Sequence, residues 1–491
     1  MRRVRSGGLT IYDAWRGAAD LSYDVAIYGA GAAGITLARA LSRKSARVGL
    51  FEAGGFGRPP GGPGHPFAGK IVGLPYDLTA TRLRYFGGTT NHWGGWCRPL
   101  DPHDFQAHSH IPLSGWPLSR GELDPYLEKA LDICEVPTGG LGLAAFDRDF
   151  GFGELTQRAS AELTYKSFLF SPPTRFGVRY RSDIEAAENV ECLLNATLVK
   201  VLVADGSVDR CLLATPDGSR LRVSAHCHVL AMGAVENARV LLASGVANSS
   251  GFVGRCFSDH LGKTIGVALL DFNNRYHLHQ AVHDGRQFRV LPHLSFRDEI
   301  LEEQQLVNFG LIFHRWDSQP LGLLGEGVER QLEYVAGSEK NRFRVLLRME
   351  NTPNPNSRIE LTNELDASGL PRVSLNWQLN PLDMSCVERL CTVLGRAIGK
   401  AGGRFRVNAR TATATYTGAY QSHQMGTTRI SRNPDDGVID PSLRCHDVGN
   451  LYVAGSSVFP TFGFANPTLT IVALTLRLAE HLRRRLGIAD A

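Results

Sequence analysis

The sequence predicts an α/β protein of two domains: a Rossmann-like dinucleotide-binding domain carrying a β-meander, and a second domain built on an antiparallel sheet backed by helices. Three observations predict it. A strand, a glycine turn, a helix and a second strand ending in an acid follow one another over residues 23–52. Three short strands joined by Asp-Gly turns occupy residues 196–225 and lead into a buried strand. A further strand ending at glycine comes only at residues 450–456, so a long insertion interrupts the nucleotide domain.

The first unit is the most specific. Tyr23–Tyr28 is an apolar strand, and Gly29-Ala30-Gly31-Ala32-Ala33-Gly34 follows it. Ile35, Leu37, Ala38 and Leu41 mark a helix, and Val48–Phe51 forms the next strand, ending at Glu52. Gly29 permits the tight turn, Gly31 lets a pyrophosphate approach the backbone, Ala33 lies in the first helical turn, and Gly34 lets helix and strand pack closely. The helix N-terminus directs its partial positive charge at phosphates. Glu52, 18 positions after Gly34, is placed to accept hydrogen bonds from a ribose.

The meander strands at 196–203, 208–214 and 219–225 are separated by Asp205-Gly206 and Asp217-Gly218, which are hairpin signals. Val229–Ala234 then reads as a separate buried strand stopping at Gly233, with a helix through Asn237–Leu242 behind it. Asn450–Ser456 is the late strand, ending at Gly455 and Ser456. No second glycine fingerprint stands between a strand and a helix; Gly322–Gly327 is glycine-rich but lacks the strand before it. The nucleotide domain therefore comprises residues 20–105, 185–262 and 421–491, and the substrate domain 106–184 and 263–420. Within the latter, 106–184 reads as loop-rich with a helix near 120–133. Strand-like runs follow at 265–271, 288–295, 306–314, 343–349, 359–362 and 373–377, and Leu382–Ala401 is helical.

Composition narrows the class. A 491-residue chain with 43% hydrophobic and 21% charged residues is an ordinary globular protein of more than one domain. The net charge of +5 comes from basic residues spread along the chain, which does not suit a nucleic-acid partner. The one dense cluster, Arg483-Arg484-Arg485, falls in the last turn of a C-terminal helix, where cations complement the dipole. Nine widely spaced cysteines without a CxxC pair read as reduced buried thiols, so the expected location is cytoplasmic. His226-Cys227-His228 lies in a strand with no second ligand pair, and no metal site is expected. Met1–Arg5 is basic but is followed by Ser6-Gly7-Gly8 rather than an apolar stretch, and no run is long enough to span a bilayer.

Taken together, these pieces resemble the glucose–methanol–choline (GMC) oxidoreductases from about residue 23 to residue 486. The resemblance implies FAD as cofactor, a sugar-like small-molecule substrate, and oxygen or an external carrier as electron acceptor; it leaves room for a homo-oligomer. Leu83–Gly95, with Gly87, Thr89, Asn91, His92, Trp93 and Gly94, resembles the loop that such enzymes lay against the isoalloxazine. Trp96–Asp101 is similar to the sugar-oxidising branch, which includes pyranose oxidases and fructose and glucoside 3-dehydrogenases. The resemblance places Val199, with Leu198, against the adenine, and Ser456 where related flavoproteins often carry an acid. His92 stands where pyranose oxidases attach flavin covalently. Gly94 replaces a threonine near flavin N5, and related dehydrogenases with this glycine hold FAD without a bond; both alternatives stay open.

Ser422–Arg429 resembles the family's catalytic segment, and Asn466-Pro467 its second catalytic position, 43 residues after His423. The residue types suit the chemistry. An alcohol loses an O–H proton to a base, and a neutral imidazole with a reference pKa of ~6.5 fits that task, so the rate is expected to rise through the imidazole titration. An amide donates to a forming alkoxide without titrating. Asn466 has a competing role as helix N-cap, with Pro467 at the first helical position and Thr468 next. A flavin-containing lyase of the same fold, a nicotinamide dehydrogenase and a non-catalytic FAD-binding protein are the alternatives.

Overall fold

The computed structural model describes residues 11–12, 17–58, 65–150, 154–270, 279–283, 285–315, 342–408 and 422–489. The glycine-rich segment 322–327 and the basic N-terminus lie outside them.

One eight-stranded sheet carries the nucleotide domain. Its centre is parallel: Val190–Leu193, Val48–Phe51, Ala19–Tyr28 and the C-terminal half of Arg220–Leu230 lie side by side, and Leu451–Val453 joins the last of these. Val25–Tyr28, Val48–Phe51, Cys227–Leu230 and Leu451–Val453, the middle of this array, are wholly buried and mostly apolar, as a parallel sheet covered on both faces requires. Helix Ala32–Leu41 packs between this sheet and the C-terminal helix Pro467–Leu486. The meander strands Thr197–Ala204 and Ser207–Ala214 form the antiparallel margin, and their turn puts Asp205 and Gly206 at φ 49° and 70°, the conformation such a two-residue hairpin needs.

Two sequence expectations are corrected here. The runs 219–225 and 229–234 are not separate strands: Arg220–Leu230 is one continuous eleven-residue strand. Its first half pairs antiparallel with Ser207–Ala214 and its second half parallel with Leu451–Val453, so no turn is needed between them. It is supported along its whole length by Ala19–Tyr28, which starts earlier than the apolar run suggests because Asp20 pairs with Arg222. The stretch 106–184, read as loop and helix, also holds the strand Leu163–Phe170.

That strand sits in a second eight-stranded, antiparallel sheet, in the order Arg404–Val407, Leu261–Leu269, Arg342–Met349, Phe309–Arg315, Arg286–Phe296, Leu163–Phe170 and Trp96–Cys97, with His279–His283 paired off this path to Arg286–Phe296. Helix Pro381–Lys400 packs against its Arg404–Val407 edge. A third, small sheet joins Arg358–Leu365 and Pro371–Asn376 to Lys70–Ile71. Among the described residues no helix is long and apolar enough to cross a membrane. All nine cysteines are buried and unpaired. His226 is exposed and bonds Asp24, whereas His228 is buried against the Tyr28 hydroxyl, so the two do not converge as a ligand pair.

Candidate active site

A cavity of about 550 Å³ opens at the carboxyl ends of the central strands of the first sheet. One part of its wall is the glycine turn. Gly29 (φ 103°) turns the chain off the first strand, and Gly34 sits so close that an added Cβ would lie 1.8 Å from the Gly29 carbonyl oxygen. Gly31, Gly233 and Gly455 line the cavity, and a Cβ at any of them would meet no protein atom. Their missing side chains keep room for a ligand, beside the N-terminal turn of the helix that begins at Ala32 and includes Ala33. Glu52 lies at the tip of the second strand and accepts the Ala30 and Gly54 amides, one on each oxygen, at 2.9 Å. Burial raises this carboxyl above its ordinary range while those amides pull it back. Each oxygen retains a lone pair for a hydroxyl.

Ala196, Thr197 and Leu198 form the adjoining wall, and Val199 does not. Leu198 is buried inward while Val199 falls on the other side of the strand, next to a register shift. Thr89, His92, Trp93 and Gly94 of the loop reach the cavity; Gly87 and Asn91 do not. Asn91 instead donates to the Phe86 carbonyl at 2.9 Å, and Gly87 takes a left-handed turn (φ 98°), so both shape the loop from behind. Burial, then the cations Arg58 and Arg175, hold the His92 imidazole below its usual range.

Ser422, His423, Ser456, Asn466, Pro467 and Thr468 complete the wall. Ser422 sits at φ 63°, a left-handed conformation uncommon for a side chain with a Cβ, and it turns the chain into His423. The Ser456 hydroxyl donates to the Gln424 carbonyl at 2.7 Å, tying the His423 segment to the late glycine turn. Asn466 has the backbone of an N-cap, but its side chain caps nothing. Its Oδ1 accepts from Arg348 Nη1 at 2.7 Å. A guanidinium only donates, so the amide oxygen must face Arg348, and Nδ2 keeps two protons to donate elsewhere.

Three residues of this site carry no sequence motif. Arg348 comes from the Arg342–Met349 strand and lies over the rings of Trp96 and Phe168. His260 immediately precedes the Leu261–Leu269 strand, which pairs with Arg342–Met349. Its Nδ1 is 2.9 Å from His423 Nδ1. Asp259 accepts the backbone N–H groups of His260 (2.7 Å) and His423 (3.0 Å) and the Tyr76 hydroxyl (2.9 Å). An antiparallel bridge between Ser258 and Met425 creates this meeting, since two residues outward on each side are His260 and His423. The only sequence hint was a polar Asp259-His260 pair at the mouth of an apolar strand. Asp259, His260 and His423 are close enough to form one ligand set, and His103, His108 and Glu302 form another elsewhere.

The expected titration near 6.5 is corrected by the site. Burial first, and the Arg348 cation second, push His423 down to about 3. The imidazole is therefore neutral throughout the ordinary pH range. A negative charge forming beside it favours its protonated form, so proton uptake couples to alkoxide formation.

Residues 353–475 match the GMC oxidoreductase family. Over these residues the chain carries the C-terminal domain of the GMC oxidoreductases. It is similar to 6'''-hydroxyparomomycin C oxidase of Streptomyces lividus, at 26% identity over 95% of this chain and 93% of that one. It is also similar to the fructose dehydrogenase large subunit of Gluconobacter japonicus, at 25% identity over 94% and 98%. The fold is that of pyridoxine 4-oxidase from Mesorbium loti, with a TM-score of 0.59 and 19% identity over 94% of this chain and 99% of that one. With these matches the chain is an FAD-dependent oxidoreductase acting on CH–OH groups. The cavity fits FAD: the open glycines, the helix N-terminus and Glu52 suit the pyrophosphate and ribose, and the wall near His92, Gly94 and Asn466 suits the ring. When bound, FAD supplies the hydride-accepting ring.

Proposed function

We propose that the enzyme oxidises a secondary or primary alcohol carbon of a sugar, glycoside or similar polyol, with His423 as the base and Asn466 as the donor to the developing alkoxide. One observation carries the reading: His423 and Asn466, 43 positions apart, face one cavity, and Arg348 takes the amide oxygen so that only N–H groups remain for substrate. His423 takes the O–H proton, and Asn466 Nδ2 stabilises the oxygen as charge builds on it. The aminoglycoside and fructose enzymes among the relatives support a polyhydroxylated substrate. Nine buried, unpaired thiols support a reducing compartment such as the cytoplasm. Bleaching of the oxidised flavin under nitrogen, across a panel of free sugars, glycosides and aminoglycosides, tests the proposal. Bleaching by members of the panel is the expected result. Bleaching by simple alcohols alone would remove the sugar assignment.

A further inference from the structure

Two ring nitrogens 2.9 Å apart share one proton, so of His260 Nδ1 and His423 Nδ1 one donates and the other accepts. The base role read for His423 decides which: a lone pair on its other nitrogen requires the shared proton on His423 Nδ1, so His260 Nδ1 accepts and His260 carries its own proton on Nε2. His260 is wholly buried, with the Phe462 ring packed perpendicular to its own. The shared proton then belongs to His423 Nδ1. His423 Nε2 is left with the lone pair, and it is the ring nitrogen that remains for the cavity His423 lines.

We infer that His260 is a positioning residue: it holds His423 in the one tautomer whose lone pair, on Nε2, can take a substrate proton. The inference rests on reading His423 as the base. In the step, the alcohol O–H bond breaks and its proton moves to His423 Nε2. The His423 Nδ1–H bond stays intact and remains shared with His260, which neither gains nor loses a proton. Asp259 fixes the approach by holding both backbones through its carboxylate. Without His260 the buried ring could place its proton on either nitrogen, and molecules with Nε2–H would be inert as bases.

The test uses the FAD-loaded enzyme and its His260→Leu, His260→Asn and His423→Ala variants, each first checked for flavin content. His260→Leu should slow flavin reduction about 10- to 100-fold, with substrate half-saturation little changed. His260→Asn, whose Oδ1 can accept near the former Nδ1, should recover most of that loss. The double variant His260→Leu/His423→Ala should be no slower than His423→Ala alone, because His260 acts only through His423. In ¹⁵N-histidine spectra, the His423 signals, assigned by their loss in His423→Ala, should show a protonated Nδ1 in the wild type and a tautomer mixture in His260→Leu. A slow His423→Ala beside a His260→Leu variant within about threefold of wild type overturns the inference and leaves the base intact. A protonated Nε2 on wild-type His423 overturns it as well. A His423→Ala enzyme reducing its flavin at nearly the wild-type rate overturns the base assignment, and the inference falls with it.

Discussion

The cavity's two ends are built by opposite routes. The nucleotide end is local: six consecutive residues, Gly29 to Gly34, supply the turn, the open approach and the helix N-terminus, and Glu52 follows on the next strand. The catalytic end is assembled from four distant segments that contribute His260, Arg348, His423 and Asn466. A local device tolerates drift elsewhere in the chain, whereas an assembled one depends on strand register. A one-residue slip at the Ser258–Met425 bridge would move His260 away from His423.

The largest effect expected from this contrast is His423→Ala. Flavin reduction should slow ~10²–10⁴-fold while substrate binding changes little. Because burial and Arg348 hold the imidazole at about 3, the wild-type rate should show no inflection near 6.5. Anaerobic stopped-flow bleaching across pH 5–9 checks both statements, and an inflection near 6.5 that vanishes in the mutant would restore an exposed, ordinary imidazole.

Asn466→Ala comes next, at ~10²-fold in the reduction rate, the usual range for one lost donor to a developing oxyanion. The same substitution also removes the amide acceptor of the Arg348 guanidinium, so a fall in melting temperature is expected from that bond and not from helix capping. A mutant that loses stability while keeping its rate would leave Asn466 a purely structural role.

At the nucleotide end, Glu52→Ala should weaken FAD retention by about 1.5–3 kcal/mol, or about 10- to 100-fold. Equilibrium dialysis of FAD measures it, and the reduction rate of the fraction still loaded should be close to normal. A loaded Glu52→Ala enzyme as slow as His423→Ala would mean that the ends are not separable.

A change in stability rather than in rate concerns the support of the catalytic end. Glu350 accepts the Phe462 and Gly463 amides just before Asn466, and burial raises its carboxyl to about 8. Its folded pKa exceeds the unfolded one, so between about 4.5 and 8 the unfolded chain releases the proton more readily. Wild-type stability from this group is therefore full at low pH and declines as pH rises to about 8. Glu350→Gln keeps an acceptor and removes the titration. Its melting temperature should match wild type near pH 5, rise above it toward pH 8, and hold that margin beyond. An unchanging difference across this range would show that Glu350 is ionised in the folded protein at all of these pH values.

Much of the fold was legible because its signals are short-range. The helix expected at 120–133 spans Arg120–Ile133, and the one after Pro467 ends at Gly487 with φ 61°. Leu163–Phe170 was missed although Tyr165, Phe168 and Phe170 are strand formers and Pro172-Pro173 marks its end, because its partners lie far off on Arg286–Phe296 and Trp96–Cys97. Arg220–Leu230 was divided because its two halves read as different burial patterns, and only a partner that changes from Ser207–Ala214 to Leu451–Val453 explains both.

By itself the sequence determined the dinucleotide turn, the meander, the late strand that rejoins the nucleotide domain, and the imidazole and amide that line one cavity. These depend on glycine conformations, alternation and spacing within one segment, all written in neighbouring residues. Only the tertiary structure decided that Asn466 turns its oxygen to Arg348 rather than capping a helix, that Leu198 rather than Val199 reaches the cavity, and that His260 stands behind His423. Each of those depends on which strands lie beside one another. His260 and His423 are 163 positions apart and meet through a single antiparallel bridge. The same packing that joins them buries His423 and keeps its imidazole neutral across the whole physiological range.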